Sequence, residues 1–213
     1  MNPFFGKTAI LANGLFPTGA VPLEALRAAE RIVCCDGAAN KLVATGREPD
    51  WIVGDCDSLD HSLSGRYGDR LVRVEEQETN DLCKAFRFCL SKGWRDVSIV
   101  GATGLREDHT LSNLSLLVDF AIDASVQMLT DTGWFTPLPG SSKLPSFPGQ
   151  QVSVFSFDPA VTVYAEGLKY PLDGVRFNRW WRAALNEACG GDVRLVFEGG
   201  PLLVFQTYAG GKG

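Results

Sequence analysis

The sequence predicts an α/β fold, in which a mainly parallel sheet carries helices on both faces and is followed by a small all-β sandwich domain. Up to about residue 130, short apolar segments typical of buried strands alternate with segments whose apolar residues recur at helical spacing. Prolines, glycines and serines then crowd into residues 137–149, and the chain beyond them alternates in strand fashion. We therefore predict two domains, 1–136 and 137–213.

Six apolar segments of the first domain are predicted to be strands. They lie at 7–13, 31–35, 51–53, 70–74, 96–101 and 125–130. Four helices are predicted. The first spans 22–29, the second follows the second strand and ends near residue 45, and the third and fourth begin after residues 80 and 108. This alternation is typical of a Rossmann-like sheet, in which each parallel strand is followed by a crossover helix.

Two of these helices show which face they bury. Four apolar residues recur at i, i+3, i+4 and i+7 in the third helix and predict one buried stripe: Leu82, Ala85, Phe86 and Cys89. In the fourth helix Leu111, Leu114 and Val118 are predicted to face the core. In the second domain, strands are predicted at 151–157, 161–164, 193–197 and 202–205, and a helical turn at 182–188.

Composition narrows the class of protein. The chain has 213 residues, of which 45% are hydrophobic and 21% charged, as in a soluble globular protein. We expect no membrane partner, because no apolar run approaches about 18 residues and no secretory signal is visible. Six cysteines without C-x-x-C spacing indicate a reduced, cytoplasmic setting. A net charge of −5 argues against a nucleic-acid partner. Because an acidic site repels polyphosphate, a polyphosphate substrate would need a divalent metal.

Two carboxylates follow the third predicted strand. The apolar residues 51–53 meet Gly54, and Asp55 and Asp57 come next, separated by one residue. Ligands of open α/β sheets bind at the carboxyl ends of the strands, and alternate residues of an extended segment face the same way. Asp55 and Asp57 could therefore reach one hard cation. The alternative is that Asp-x-Asp forms only a polar turn.

Further aspartates occupy three other strand–helix connections. Asp36 follows the second predicted strand, and Asp81 and Asp108 lie at helix starts. Each has a structural alternative, since Asp36 and Asp108 could cap helices and Asp81 could form a solvated pair with Lys84. Four connections that each present an aspartate at one sheet edge are nevertheless hard to explain by capping. We predict a metal–phosphate site, in which Lys84 and Arg106 are the compensating cations.

The motifs around these residues resemble those of thiamin pyrophosphokinases in order and spacing. The matching segments are 36–40, 49–58, Gln77-x-x-Asn80-Asp81-x-x-Lys84 and Gly101-Ala102-Thr103-Gly104-x-Arg106-x-Asp108-His109-x-Leu111-x-Asn113, with 168–172 and Asn186-Glu187 in the second domain. The resemblance implies a thiamine diphosphokinase, which transfers a diphosphate group from ATP to thiamin and releases thiamin diphosphate and AMP. It also implies Mg²⁺ and a homodimer with a shared active site.

The resemblance assigns roles within both domains. Domain 1–136 would bind nucleotide and metal and hold the catalytic residues, which are Asp55, Asp57 and Asp81. The implied metal ligands are Asp55, Asp57, Asp81 and Asp108, and the implied nucleotide-binding residues are Asp36, Gln77, Asn80, Lys84, Arg106, Asp108 and His109. Domain 137–213 would bind thiamin and form the dimer.

The implied thiamin-binding residues are Tyr170, Trp180, Trp181 and Asn186. Tyr170 holds an aromatic position that stacks on a thiamin ring in the family. The small hydroxyl residues that usually precede the matched asparagine are replaced by Ala183 and Leu185, so the thiamin hydrogen bonds depart from the pattern. For Trp180 and Trp181 the alternative is core or interface packing.

Two other functions compete with this interpretation. One is a different metal-dependent transferase that uses Asp-x-Asp with a nucleotide, such as a glycosyltransferase, which would need neither a Lys84 partner nor a small β domain. The other is a non-catalytic sensor of nucleotide or thiamin on the same fold. A pure binding protein would tolerate the loss of the aspartates, so their presence argues against a sensor.

Overall fold

The computed structural model describes residues 5–210, which form two compact units. One unit contains residues 5–116 and 123–131, and the other contains residues 117–122 and 132–210. The predicted boundary after residue 136 falls inside a strand of the second unit. The predicted domains also include residues 1–4 and 211–213, which lie outside the described residues.

Six strands form a parallel sheet in the first unit. They are β1 (Thr8–Leu11), β2 (Arg31–Cys35), β3 (Trp51–Gly54), β4 (Leu71–Arg73), β5 (Asp96–Val100) and β6 (Ser125–Leu129). Their spatial order is β6-β5-β1-β2-β3-β4, and every neighbouring pair is parallel. The central strands are buried along their length, as expected of a parallel sheet. The prediction of a mainly parallel sheet is confirmed.

Five α-helices connect or follow these strands. They are α1 (Ala20–Ala28), α2 (Ala38–Ala44), α3 (His61–Arg66), α4 (Asp81–Ser91) and α5 (Glu107–Phe120). The four residues predicted to form the stripe of α4 are all buried. In α5 the prediction for Leu111 is wrong, because Leu111 is exposed and the buried line is Asn113, Leu117 and Phe120. A polar residue opens that line and hides it from a search for apolar periodicity.

The second unit is an antiparallel β sandwich. Its strands are β7 (Gly133–Leu138), β8 (Ser142–Pro145), β9 (Gln151–Phe155), β10 (Thr162–Glu166), β11 (Leu172–Arg176), β12 (Ala183–Glu187), β13 (Asp192–Glu198) and β14 (Leu202–Thr207). One sheet has the order β12-β9-β14-β7 and the other β11-β10-β13-β8. Buried side chains from both sheets, among them Val154 and Leu195, form one core.

One prediction for this unit is wrong. Residues 182–188 contain strand β12, which pairs with β9, and not a helical turn. The register of this pairing shifts between Ala183 and Asn186. Leu185 sits in that irregularity with φ +59°, which breaks the period-two pattern that would have marked a strand. The proline-rich segment begins inside a strand, since Pro137 lies within β7 opposite Leu203. Within residues 5–210, no helix combines the length and the apolar character needed to cross a bilayer.

Candidate active site

A cavity of about 430 Å³ opens in the first unit at the carboxyl ends of its parallel strands. Its walls come from the segment after β1, from Asp55 after β3, from the first turn of α4, and from the segment between β5 and α5. The topology of an open α/β sheet places ligands at this edge. The predicted residues Asp55, Gln77, Asn80, Asp81, Lys84, Arg106 and His109 all line the cavity.

Three aspartates, here named the acidic triad, converge beside the cavity: Asp36, Asp55 and Asp81. One carboxylate oxygen of each lies within 4.8 Å of an oxygen of the other two. Asp36 follows β2, Asp55 follows β3, and Asp81 begins α4, so three separate connections bring them together. Three carboxylates at this separation repel one another unless a cation or a proton intervenes. An oxygen-only donor set of this kind suits a hard divalent cation.

Asp36 is the buried member of the triad, with 2% of its surface exposed. Its Oδ2 accepts a hydrogen bond from the Ser58 N–H at 3.0 Å, whereas Oδ1 is buried and has no hydrogen-bond partner among the described residues. Burial raises the pKa of Asp36, and the Ser58 N–H opposes that rise. Asp36 does not cap α2, because neither of its carboxylate oxygens accepts from an N–H of that helix, whose N-cap residue is Gly37. A buried carboxylate oxygen without a partner is costly, so the site fits a cation.

Two residues in or next to the triad have a strained backbone conformation. Asp36 has φ +40° and Cys56, between Asp55 and Asp57, has φ +70°. Non-glycine residues rarely adopt positive φ, and such residues cluster at functional sites. Gly54 permits the close approach of the two connections, because a Cβ there would lie 2.8 Å from the Cβ of Asp36.

Asp55 is held by two donors. Its Oδ1 accepts from the Asp57 N–H at 3.2 Å, and its Oδ2 accepts from Gln77 Nε2 at 3.3 Å. These bonds, that of the Asp57 N–H first, lower the pKa of Asp55. The carboxylate of Asp57 is exposed and is not part of the triad, although its charge contributes to raising the pKa of Asp81. Asp57 therefore meets the triad mainly through its backbone.

Asp81 and Lys84 form an ion pair in the first turns of α4. Lys84 is only 4% exposed, and its Nζ lies 3.4 Å from Asp81 Oδ1. The alternative of a solvated charge pair is therefore wrong. Burial raises the pKa of Asp81, and the Lys84 ammonium opposes that rise. A buried ammonium facing a cavity is a fixed positive charge that an anionic ligand can use.

Asp108 lies apart from the triad. Arg106 donates to it through Nη2 at 2.6 Å and Nε at 3.1 Å, and both side chains are exposed. Hydrogen bonding from Arg106 lowers the pKa of Asp108 to about 2. Arg106 and His109 line the cavity, whereas Asp108 does not. The structure therefore does not bring Asp108 together with the predicted metal ligands.

Asn80 has two roles that its motif did not indicate. Its Oδ1 caps α4 by accepting from the Cys83 N–H at 3.0 Å, and its Nδ2 donates to Asn113 Oδ1 at 3.0 Å. Asn113 in turn donates to the Ala102 carbonyl at 2.9 Å.

Lys41 and the segment after β1 are parts of the site that sequence reasoning missed. The Nζ of Lys41 donates to the carbonyls of Gly14 at 2.7 Å and Asn13 at 3.2 Å, and Asn13 and Gly14 line the cavity. Burial lowers the pKa of Lys41. A Cβ at Gly14 would lie 2.5 Å from the Gly101 carbonyl, so only glycine permits this approach. The strand-end rule used for Asp55 could have identified Asn13 and Gly14, but no pattern marks Lys41.

The predicted thiamin-binding residues belong to the second unit. Tyr170 is 58% exposed, and Asn186 is buried and holds the Tyr170 backbone. Asn186 Nδ2 donates to the Tyr170 carbonyl at 2.7 Å, and its Oδ1 accepts from the Tyr170 N–H at 3.1 Å. Trp180 stacks on Phe157 with ring centroids 6.2 Å apart, but Trp180 and Trp181 are both about half exposed, so neither lies in the core of this unit. Asn186 thus positions Tyr170 in this structure.

Both units match models of one protein family. Residues 23–129 match the model described as thiamin pyrophosphokinase, catalytic domain. Residues 133–205 match the model described as thiamin pyrophosphokinase, substrate-binding domain. A relative from Caenorhabditis elegans, thiamin pyrophosphokinase 1, is 30% identical over 109 residues, which cover 47% of this chain and 44% of that protein. The match thus spans less than half of that relative's length.

Solved structures share the fold. A thiamin pyrophosphokinase from Geobacillus thermodenitrificans superposes with a TM-score of 0.77 at 24% identity, covering 95% of this chain and 98% of that one. A family protein from Enterococcus faecalis gives 0.79 at 22% identity, covering 94% and 98%. The Candida albicans enzyme gives 0.78 at 17% identity, covering 98% and 92%. At these identities the likeness establishes the fold, an α/β part followed by an antiparallel β part.

Proposed function

Because this chain belongs to the thiamin pyrophosphokinase family, we propose that it transfers a diphosphate group from ATP to thiamin and releases thiamin diphosphate and AMP. The observation that carries this proposal is the cavity in the first unit, where the acidic triad and the buried Lys84 meet at the carboxyl ends of parallel strands. Opposite charges at one cavity are what a metal-bound polyphosphate requires.

In the proposed reaction the thiamin hydroxyl oxygen attacks the β-phosphorus of ATP. A bond forms between the hydroxyl oxygen and the β-phosphorus, and the hydroxyl proton is released to solvent. The bond from the β-phosphorus to the bridging oxygen of the α-phosphate breaks, and AMP leaves with the bridging oxygen. Catalysis of phosphoryl transfer depends mainly on positioning and on stabilising charge. Lys84 and Arg106 line the cavity and would offset charge on the phosphate oxygens.

Mg²⁺ is the metal that we propose, with Asp36, Asp55 and Asp81 to hold it. The unpartnered Oδ1 of Asp36 and the close approach of three carboxylates fit such an ion. When bound, Mg²⁺ would neutralise phosphate charge and orient the diphosphate. Asp57, exposed beside Asp55, remains a candidate ligand and catalytic residue. Asp108, paired with Arg106, is better placed to orient that guanidinium toward the nucleotide than to bind the triad metal.

Other contacts complete the proposed nucleotide site. Gln77 holds the Asp55 carboxylate, and His109 lines the cavity beside Arg106.

The arrangement of the parallel unit would be Rossmann-like, with helices on both faces. We further propose, as the family resemblance implies, a cytoplasmic homodimer with domains 1–136 and 137–213, in which the β domain of one subunit binds thiamin against the α/β domain of the other.

Tyr170 is the proposed platform for a thiamin ring. Cation–π attraction between a cationic ligand and an exposed ring is worth about 0.5–2 kcal/mol, so Tyr170→Ala is expected to raise the thiamin KM roughly 2- to 30-fold. The ATP KM should stay unchanged, because Tyr170 lies outside the unit that contains the cavity. Steady-state kinetics with each substrate varied in turn measure both constants.

Tyr164→Ala is the matched control, since Tyr164 is also a half-exposed tyrosine of the second unit. It should change neither KM. An unchanged thiamin KM in Tyr170→Ala would remove Tyr170 from the thiamin site and point to Trp180 or Trp181.

The proposed function is tested by analysing the products. Purified protein with ATP, Mg²⁺ and thiamin should form AMP and thiamin diphosphate in equal amounts, as quantified by chromatography. ADP in place of AMP would indicate a different transferase, and binding of nucleotide or thiamin without turnover would indicate a sensor.

A further inference from the structure

We propose that Asn80 and Asn113 form a positioning pair, which fixes the start of α4 against the segment between β5 and α5 and so sets the places of Asp81 and Lys84. Both residues line the cavity, and the role that we assign to them is to act through Asp81 and Lys84. This inference rests on the proposed function, in which Asp81 and Lys84 bind metal and phosphate. It assigns Asn80 a role different from the nucleotide contact that the family resemblance implies.

The pair is one continuous chain of hydrogen bonds. Asn80 Oδ1 accepts from the Cys83 N–H at 3.0 Å and Asn80 Nδ2 donates to Asn113 Oδ1 at 3.0 Å. Asn113 Nδ2 donates to the Ala102 carbonyl at 2.9 Å. The helix N–H can only be met by the oxygen of Asn80, so the NH₂ group must face Asn113. Each amide orientation therefore follows from the one before it.

The chain connects three parts of the cavity wall that are distant in sequence. Asn80 and Asn113 are 33 residues apart, and Asn113 and Ala102 are 11 apart. Asn80 directly precedes Asp81, and Lys84 lies one turn further along the same helix. Because an α-helix moves as a rigid element, a shift of its capped end displaces the Asp81 carboxylate and the Lys84 ammonium together.

Burial makes the pair costly to break. Asn113 is 8% exposed, although it replaces an apolar residue in the buried line of α5. A polar side chain at that position forfeits apolar packing and is stabilised only by its two hydrogen bonds. Removing it leaves the Ala102 carbonyl and the Asn80 NH₂ group without their partners. A hydrogen-bond network of this kind, buried at Asn113 and half-buried at Asn80, favours one arrangement of the elements that it joins.

Two substitutions separate the link from the helix cap. Asn80→Ser keeps an N-cap acceptor for α4 but removes the donor to Asn113, and Asn113→Ala removes the link from the other side. We expect each to lower kcat/KM for ATP about 10- to 100-fold and to raise the Mg²⁺ concentration needed for half-maximal activity. The double variant should lose no more than about twofold beyond the worse single variant, since both remove one interaction.

Two control variants address stability. Ser115 lies on the same helix and does not line the cavity, so Ser115→Ala is one control; the other, Leu117→Val, shortens a fully buried side chain of that helix. Both should keep the wild-type kcat/KM and Mg²⁺ requirement at temperatures well below their Tm. If Leu117→Val reproduced the kinetic losses, general destabilisation would explain them and the pair would be overturned.

Further outcomes decide the inference. Multiplicative losses in the double variant, or wild-type kcat/KM in Asn80→Ser, would overturn the pair even if Asn113→Ala failed to fold. The Mg²⁺-induced rise in Tm, measured without nucleotide or thiamin, keeps the two claims apart. A wild-type protein that makes no thiamin diphosphate overturns the proposed function, whereas equal Mg²⁺ shifts in wild type and both single variants overturn the positioning pair.

Discussion

Asp55→Asn is expected to lower kcat about 1,000-fold, equivalent to about 4 kcal/mol of transition-state stabilisation, while the fold stays intact. Asparagine has the same shape and keeps an acceptor for the Asp57 N–H, which bonds to Asp55 Oδ1. What it removes is one of the three negative charges of the triad, together with the oxygen that accepts from Gln77 Nε2. The expected loss therefore reports the charge at the proposed metal site and not the local backbone.

Steady-state kinetics and thermal unfolding measure the effect of Asp55→Asn together. The Mg²⁺-induced rise in Tm of the substrate-free protein should shrink in the variant. Asp69→Asn is the matched control, because Asp69 is an exposed aspartate outside the cavity wall, and its kinetics should equal those of the wild type. A kcat within tenfold of wild type would remove Asp55 from the site that carries the chemistry.

Lys84→Met is expected to lower kcat/KM for ATP about 100-fold and to move the acidic limb of its pH profile to higher pH. Lys84 lowers the pKa of Asp81, which burial raises. Without the ammonium the pKa of Asp81 rises further, so Asp81 takes up a proton at a higher pH as the solution is acidified. Protonated Asp81 cannot serve a cation, and activity is lost earlier on the way down in pH.

The pH dependence of kcat/KM in wild type and Lys84→Met tests this shift. Lys92→Met is the control, since Lys92 follows the same helix and lies over the Trp51 ring away from the cavity. It should leave both the rate and the acidic limb in place. An acidic limb that does not move in Lys84→Met would show that Asp81 and Lys84 are not electrostatically coupled in the active protein.

The parallel sheet and most of the site could be predicted because both depend on local signals. Buried apolar strands end at identifiable turns, and the carboxyl ends of parallel strands meet at one edge. That rule led to Asp36, Asp55 and Asp81, which the fold gathers within 4.8 Å. It also led to Asp108, which pairs with Arg106 two residues earlier instead. The position of an aspartate along the chain does not reveal whether its carboxylate will pair with a neighbouring arginine or join the other carboxylates.

Other features depend on contacts between distant residues and leave little trace in the sequence. Asn113 interrupts the apolar line of α5 because it bonds to Asn80 and Ala102. Lys41 reaches backbone carbonyls of a segment more than 25 residues away, which no periodicity reveals. Strand β12 escaped prediction because a register shift beside Leu185 breaks its alternation. In each case a tertiary contact outweighs the local pattern.

We expect a diphosphate group, and not a single phosphoryl group, to move from ATP to thiamin. ATP labelled at its β-phosphorus tests this directly, because the β-phosphorus leaves the nucleotide only in diphosphate transfer. The label is expected in thiamin diphosphate, together with an equal amount of unlabelled AMP, and Asp55→Asn should slow its appearance there about 1,000-fold. Label that remains in ADP, with thiamin monophosphate or no thiamin product formed, would contradict the account.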